Sequence, residues 1–469
     1  MTARYIGAMP TPTPPVARTG SVADATSAAP PHAGRPDAAL VRALGTWGLA
    51  AGIVNVTIGG GIFRLPAGAA DALGPAAPIA YVVCAVAMAL IVLCFAEAGS
   101  RVALTGGLYA YVEVAFGPFV GFLTGVMLWA SMSAALAAVA TFFADSLVAL
   151  FPGLGAGAGR TIALLVVLAA LAGLNVRGVR GASRFNGAMT VAKLLPLALF
   201  VVLGVAAVQG PNLAIASAPA TADVARASAF LLFAFLGVEA ALVPSGEVRE
   251  PARTVPRALF VAMLTVTVVY IAVHVVTQGI LGPALAGAKT PLADAAGVAL
   301  GPWGRSLILV GSAVSMFGYV SGMTLGVPRM LYAFGRDGFL PRPFAAIHPR
   351  FHTPHVAIVA QAVLTAALAL SGGFERLALI ANGAALLAYG ACCAAAWQLR
   401  RRDVRQAGGL PFRTPFGGIA PPLALAVIGW LLTGLSAPEW KAVAVMLLVA
   451  VPLYFLARRP PVAPVAAAD

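Results

Sequence analysis

The chain has 469 residues, of which 60% are apolar and only 10% charged, against about 45–50% and about 25% in a soluble globular domain. That balance excludes a water-soluble fold and points to a polytopic chain dissolved in lipid. A formal charge of +14 would suggest nucleic acid in a soluble protein, but the cations gather in every second loop, so no nucleic-acid partner is expected.

Residues 1–40 are rich in Pro, Ala and Thr, hold no signal-peptide core, and read as a disordered cytoplasmic tail. Apolar windows between turn and charge clusters then predict spans near 44–70, 78–99, 118–149, 160–176, 184–208, 223–246, 256–281, 304–333, 354–371, 375–399, 417–436 and 439–457, about twelve in all. Residues 460–469 form a C-terminal tail. Arg101, Arg177, Arg180, Arg184, Arg249, Arg253, Arg257, Arg336, Arg342, Arg350, Arg400, Arg401, Arg402, Arg405, Arg413, Arg458 and Arg459 fall on one side. The other side holds scattered cations such as Arg160, Lys289, Arg376 and Lys441. The positive-inside rule therefore places both termini in the cytoplasm and the protein in the cytoplasmic membrane.

The first span contains Ile58-Gly59-Gly60-Gly61-Ile62-Phe63-Arg64-Leu65-Pro66. A lipid-embedded helix cannot leave its backbone unpaired unless it lines a polar cavity, so the glycines and the proline predict a deliberate break, a feature of transporters. The sixth span repeats this with Phe233-Ala234-Phe235-Leu236-Gly237-Val238-Glu239, followed by Pro244-Ser245-Gly246. An acid at membrane depth is costly and should face protein or water. Spans one and six open two five-span blocks, 41–210 and 221–400. An odd number of spans per block forces opposite orientations, which predicts an inverted repeat whose broken helices meet at the centre. The fold class is thus an all-α integral membrane protein: a 5+5 transport core over 41–400, with helices 11 and 12 in 401–459.

Cys84 and Cys94 in span two and Cys392 and Cys393 in span ten lack zinc-ligand spacing and read as reduced packing thiols. No cofactor is expected. The spans lack a His, Asp or Cys cluster suited to metal or nucleophilic chemistry, and no long hydrophilic segment leaves room for a soluble catalytic domain, so an enzyme is disfavoured. A channel would call for a selectivity ring or a subunit-repeated pore.

Four segments together resemble amino acid permeases of the amino acid/polyamine/organocation superfamily. They are Gly59 to Phe63 with Pro66; Thr105-Gly106-Gly107-Leu108-Tyr109-Ala110-Tyr111 leading into Phe116-Gly117-Pro118; Phe233 to Glu239 with Glu250-Pro251-Ala252-Arg253-Thr254-Val255-Pro256-Arg257-Ala258; and Arg336-Asp337-Gly338-Phe339-Leu340-Pro341 leading to Thr353-Pro354. The resemblance covers about 41–459.

The resemblance implies a small-molecule amino acid substrate. Its carboxylate would sit on the amides of Gly60, Gly61 and Ile62 beside Gly59, with its ammonium on carbonyls near Thr57 and on Phe233 and Leu236. Close helix packing is the alternative reading of the glycines, disfavoured by the paired break in span six. Phe233 falls where relatives place an aromatic gate, with ordinary packing as the alternative. Lys193 lies nine residues after Arg184, about 13 Å into the membrane. In sodium-independent relatives a lysine there occupies the position of a coupling ion, with Ser315 at a depth to be its hydroxyl partner. Burial disfavours the charged form, which would let Lys193 exchange a proton; a permanently charged scaffold lysine is the other reading. Glu239 is either a proton-sensitive link between states or a neutral carboxyl bonded to a neighbouring helix.

Ser131, Met132 and Leu136 of span three and Tyr319 and Met323 of span eight are candidates to line a mostly apolar pocket, which favours a neutral amino acid. Asn382 would add a polar contact or cap a kink. Arg64 departs from the family pattern: it would favour acidic substrates, pair with an acid, or reach the outer vestibule. His274 is expected to pack, Glu97 and Glu113 to be solvated or paired with Arg101, and Asp145 to be interfacial. The function implied is sodium-independent secondary transport of amino acids, coupled to protons or run as exchange. A polyamine or other organic-cation permease is the alternative. The oligomeric state and the choice among uniport, exchange and symport stay open.

Overall fold

The computed structural model describes residues 45–102, 106–177, 182–243, 248–351, 353–406, 410–415 and 418–457. The N-terminal tail, Thr105, Arg180, Pro244 to Gly246, Arg458, Arg459 and the C-terminal tail lie outside them. Helix dominates, with no β-strand among the described residues. Eight helical stretches are long and apolar enough to cross a bilayer, and shorter apolar helices lie at Pro291–Leu300, His355–Ser371 and Ala420–Leu432.

In chain order the helices are α1 (Thr46–Thr57), α2 (Gly61–Leu73), α3 (Ala77–Arg101), α4 (Leu108–Phe116), α5 (Pro118–Leu150), α6 (Gly159–Val176), α7 (Ala182–Gly204), α8 (Thr221–Leu231), α9 (Pro251–Leu281), α10 (Pro291–Leu300), α11 (Pro302–Gly326), α12 (Pro328–Arg336), α13 (His355–Ser371), α14 (Phe374–Arg401), α15 (Ala420–Leu432) and α16 (Ala437–Ala457). Proline opens α5, α9, α10, α11 and α12, where its missing N–H costs nothing and its fixed φ suits the first turn. The apolar runs located these helices to within a few residues. The short helices α4 and α10 were not expected, and the predicted eighth span is divided at Val327 into α11 and α12.

The core sits where α5 packs on α14, α3 on α9, and α1 on both α7 and α9. Helix α5 is buried over most of its length, whereas α6, α7 and α16 leave apolar faces open. Val166, Leu174, Val202, Leu448 and Leu456 are each more than half exposed; such wide apolar surfaces call for a hydrocarbon solvent.

At the arginine-rich end, a charged clasp closes the bundle. Arg101 donates from Nη2 to Glu97 Oε1 at 3.0 Å, and its Nη1 lies 3.6 Å from Asp403 Oδ1. Arg400 stands 3.6 Å from Glu97 Oε2, and the Thr414 amide donates to the same oxygen at 3.2 Å. Glu97 is therefore fully buried, which corrects the solvated alternative: the segment after α14 covers it, a contact between distant parts of the chain that no local pattern announces. Glu97→Ala strands Arg101 and Arg400 without their shared carboxylate. It is expected to destabilise the protein by about 3–5 kcal/mol, read as a lowered midpoint of thermal unfolding in detergent.

Candidate functional site

Helix α1 stops at Thr57 because Ile58 leaves the helical region (ψ 85°), and the Gly59 amide folds back to the Thr57 carbonyl at 2.9 Å. Helix α2 restarts at Gly61. Among the described residues, the amides of Gly60, Gly61 and Ile62 donate to no acceptor, so the start of α2 presents three unused N–H groups and the positive end of its dipole.

The second break follows α8. Residues Leu232–Phe235 form a 3-10 turn, Leu236 is extended (ψ 147°), and Gly237 takes φ +116°. A Cβ on Gly237 would lie 2.4 Å from the Val56 carbonyl oxygen. The backbones of the two breaks are thus in direct contact, and only glycine allows both the conformation and the approach.

Side chains from neighbouring helices take up the carbonyls that the breaks release. Lys193 of α7, fully buried, donates to the Asn55 and Ile58 carbonyls at 2.7 Å each and to the Ser315 carbonyl at 3.2 Å. The Ser315 hydroxyl, expected to partner Lys193, turns instead to the carbonyls that the break frees, 3.1 Å from Ile58 and 3.2 Å from Gly59, and it is the Ser315 backbone that meets the lysine. Tyr270 of α9 sets its hydroxyl 3.0 Å from the Thr57 carbonyl and 2.7 Å from that of Ala234, spanning the two breaks. The Thr57 carbonyl, expected to meet the substrate ammonium, thus already accepts from Gly59 and Tyr270.

Glu239 shows its contact with a neighbouring helix: Oε2 accepts from the Tyr389 hydroxyl of α14 and, at 3.0 Å, from the Gly237 amide. Asn382 of α14 donates to the carbonyls of Ala229 and Phe230 in the last turn of α8, at 3.0 and 3.5 Å. Its Nδ2 thus caps the end of the helix that breaks, while its Oδ1 is buried with no hydrogen-bond partner among the described residues.

The walls around the glycines are apolar. A Cβ on Gly59 would come within 2.8 Å of the Tyr319 ring, one on Gly60 within 2.9 Å of the Phe142 ring and 3.3 Å of Met316 Sδ, and one on Gly61 within 3.2 Å of the Ala234 backbone. Phe233 is buried next to Ala234. Ser131, Met132 and Met323 are buried in α5 and α11, and the Ser131 hydroxyl has no hydrogen-bond partner among the described residues. Tyr270, Tyr389, Phe142 and Met316 were missed from sequence. The two tyrosines carried a signal, a hydroxyl in the middle of an apolar run; Phe142 and Met316 carried none.

Other residues fall outside this centre. His274 packs on Tyr81 with ring centroids 4.6 Å apart. All four cysteines are buried free thiols. Asp145 is paired with Arg160 at 2.7 Å.

Residues 44–463 match the family model described as amino acid permease. The chain belongs to the amino acid permease family. Among its relatives in Bacillus subtilis (strain 168), this permease is 28% identical to a methylthioribose transporter over 435 residues, 90% of this chain and 94% of the relative. It is 27% identical to the branched-chain amino acid permease BcaP over 439 residues, with the same coverage. It is 28% identical to the serine/threonine exchanger SteT over 383 residues, 80% of this chain and 86% of the relative. Their names describe transporters and not enzymes, so the permease is a membrane transport protein of an amino acid transporter family.

Proposed function

We propose that the permease moves a neutral α-amino acid across the cytoplasmic membrane by alternating access, without sodium, in exchange or together with a proton. The observation that carries this reading is the group of three unused amides, Gly60 to Ile62, in a break walled by Tyr319, Phe142, Met316 and Ala234. Three N–H groups at a helix start suit a carboxylate, while the wall residues are apolar and the one acid at the breaks, Glu239, is engaged by the Gly237 amide and the Tyr389 hydroxyl. Relatives named for branched-chain amino acids and for serine and threonine agree with a neutral side chain. Phe233 is proposed as the gate over the pocket, with Ser131, Met132 and Met323 completing its lining.

The twelve-span, 5+5 reading is supported by element order. Each block runs as a broken helix, a long helix, a short helix and three more: α1/α2, α3, α4, α5, α6, α7 in the first, and α8 with its break, α9, α10, α11/α12, α13, α14 in the second. The charge asymmetry of the loops supports cytoplasmic termini.

The methylthioribose relative favours a second reading, in which the break takes a neutral sugar. Uptake by purified protein in liposomes, screened with L-leucine, L-serine, methylthioribose and putrescine, separates the readings. An amino acid is expected to be taken up, and its decarboxylated amine to compete at least about tenfold less well, the loss of one charge-assisted contact. Equal competition by the amine would remove the carboxylate site; uptake of putrescine alone would establish the organic-cation alternative. Gly61→Val is a poor probe here because its side chain would strike the Ala234 backbone.

A further inference from the structure

The short helices α4 and α10 fall at matching places in the two blocks, so the 5+5 reading sets them at opposite ends of the bundle. Helix α10 borders a cavity of about 330 Å³ at the end away from the arginine-rich loops, to which it gives Leu292 and Ala293. Phe142 of α5 also lines that cavity, and its Cδ1 is the atom nearest to where a Gly60 Cβ would stand, so the cavity reaches the first break. Helix α4 lies at the other end and is packed in: Leu108, Tyr109, Tyr111 and Val112 are buried.

Two sets of contacts tie α4 to different parts of the bundle. Ahead of its first turn, the Gly106 amide donates to the Val243 carbonyl at 3.0 Å, just beyond the second break. Gly107 (φ +56°) lies so close to the same segment that a Cβ would stand 3.2 Å from the Leu242 carbonyl carbon and the Val243 nitrogen. The Tyr109 hydroxyl donates to Asp337 Oδ2 at 3.2 Å, at the end of α12, and its ring meets that of Phe334 edge-on with centroids 5.7 Å apart. The Asp337 side chain is only 6% exposed and is held by Arg336 at 2.9 and 3.2 Å, which fixes the acceptor. The same hydroxyl interacts with Glu113 of its own helix, a contact that travels with α4. Helix α4 thus joins the broken helix to α12, two elements that must part if a route is to open between them. We propose that α4 is the lid of the arginine-rich end and that the bond from Tyr109 to Asp337 is its latch, made while the opposite cavity is open and broken when the route past α4 opens. The proposal rests on the alternating-access reading above. It gives a role to residues 106–111 and 336–337, which the binding site leaves unused.

The test uses the full-length permease with Ser312→Cys, a position that lines the outer cavity, treated in intact cells with a membrane-impermeant thiol reagent. The four native cysteines are buried, and the protein without Ser312→Cys sets the blank. A hydrogen bond to a charged acceptor counts for about tenfold in an equilibrium. Tyr109→Phe keeps the ring and loses that bond, so it should shift the population toward the form open past α4 and slow labelling by about twofold or more. Asp337→Ala removes the same bond from the other side and should slow labelling equally, and the two together should slow it no further. Gly107→Ala, which presses on the Val243 backbone, should act in the same direction. A purely structural role would lower the unfolding midpoint and leave the labelling rate alone. Unchanged labelling in Tyr109→Phe would therefore overturn the latch, and so would additive effects of Tyr109→Phe and Asp337→Ala. Failure of the alternating-access reading looks different: saturating substrate, whichever of L-leucine, L-serine or methylthioribose the uptake screen returns, would then leave labelling unchanged with Tyr109 and Asp337 both in place.

Discussion

Gly237→Ala is expected to abolish transport and to lower the unfolding midpoint, although it adds a single methyl group. The residue has φ +116°, a conformation that costs a side-chain-bearing residue about 1–3 kcal/mol. The added Cβ would also lie 2.4 Å from the Val56 oxygen and 2.8 Å from the Val56 carbonyl carbon. Backbone atoms cannot rotate away as a side chain can, so one break must move off the other. That displacement would stretch the Tyr270 bridge between Thr57 and Ala234 and the Gly237 amide contact with Glu239. Gly52→Ala is the matched control, since a Cβ there meets nothing within 4 Å and alanine favours the helix by about 0.5–1 kcal/mol. Uptake and thermal unfolding of the two variants decide the matter: wild-type behaviour in Gly237→Ala would mean that the breaks are not held against each other.

Much of this architecture was legible because lipid enforces a simple code. Long apolar runs, proline at helix starts and glycine at interruptions located the main helices and both breaks, since each reflects a local backbone requirement. Lys193 and Ser315 were legible for the same reason, being polar groups at midspan depth, where a partner is obligatory. What stayed hidden depends on which helices touch. Tyr270 closes both breaks from a third helix. Glu97 is buried because a segment more than three hundred residues later folds over it. The Asn382 amide nitrogen caps the carbonyls of another helix. Phe142 is a phenylalanine in an apolar helix until its ring is seen between a cavity and a glycine.

Transport should proceed at an unchanged rate when sodium is replaced by choline at constant pH, and Lys193→Ala should lose most of it. The Lys193 ammonium occupies the space between the end of α1 and α11, 2.7 Å from two carbonyls and 3.2 Å from a third, and a sodium ion placed among the same oxygens would be repelled by it. Asn55 belongs to the last turn of α1 and Ile58 follows it, so their carbonyls have no helical amide to receive. Removing the ammonium leaves the Asn55 carbonyl without its donor, while Ile58 keeps the Ser315 hydroxyl. A buried acceptor left unpaired costs about 1–3 kcal/mol, so stability falls along with activity, and Lys193→Ala by itself does not separate scaffold from coupling. Lys193→Gln keeps a donor for those carbonyls but has no proton to exchange. If Lys193 only braces the helices, Lys193→Gln should regain transport along with stability. If it carries a proton through the cycle, Lys193→Gln should regain stability, retain any exchange of substrate for substrate, and lose accumulation driven by a pH gradient. Normal accumulation in Lys193→Gln would remove the residue from the coupling mechanism and leave it as a brace between α1, α7 and α11.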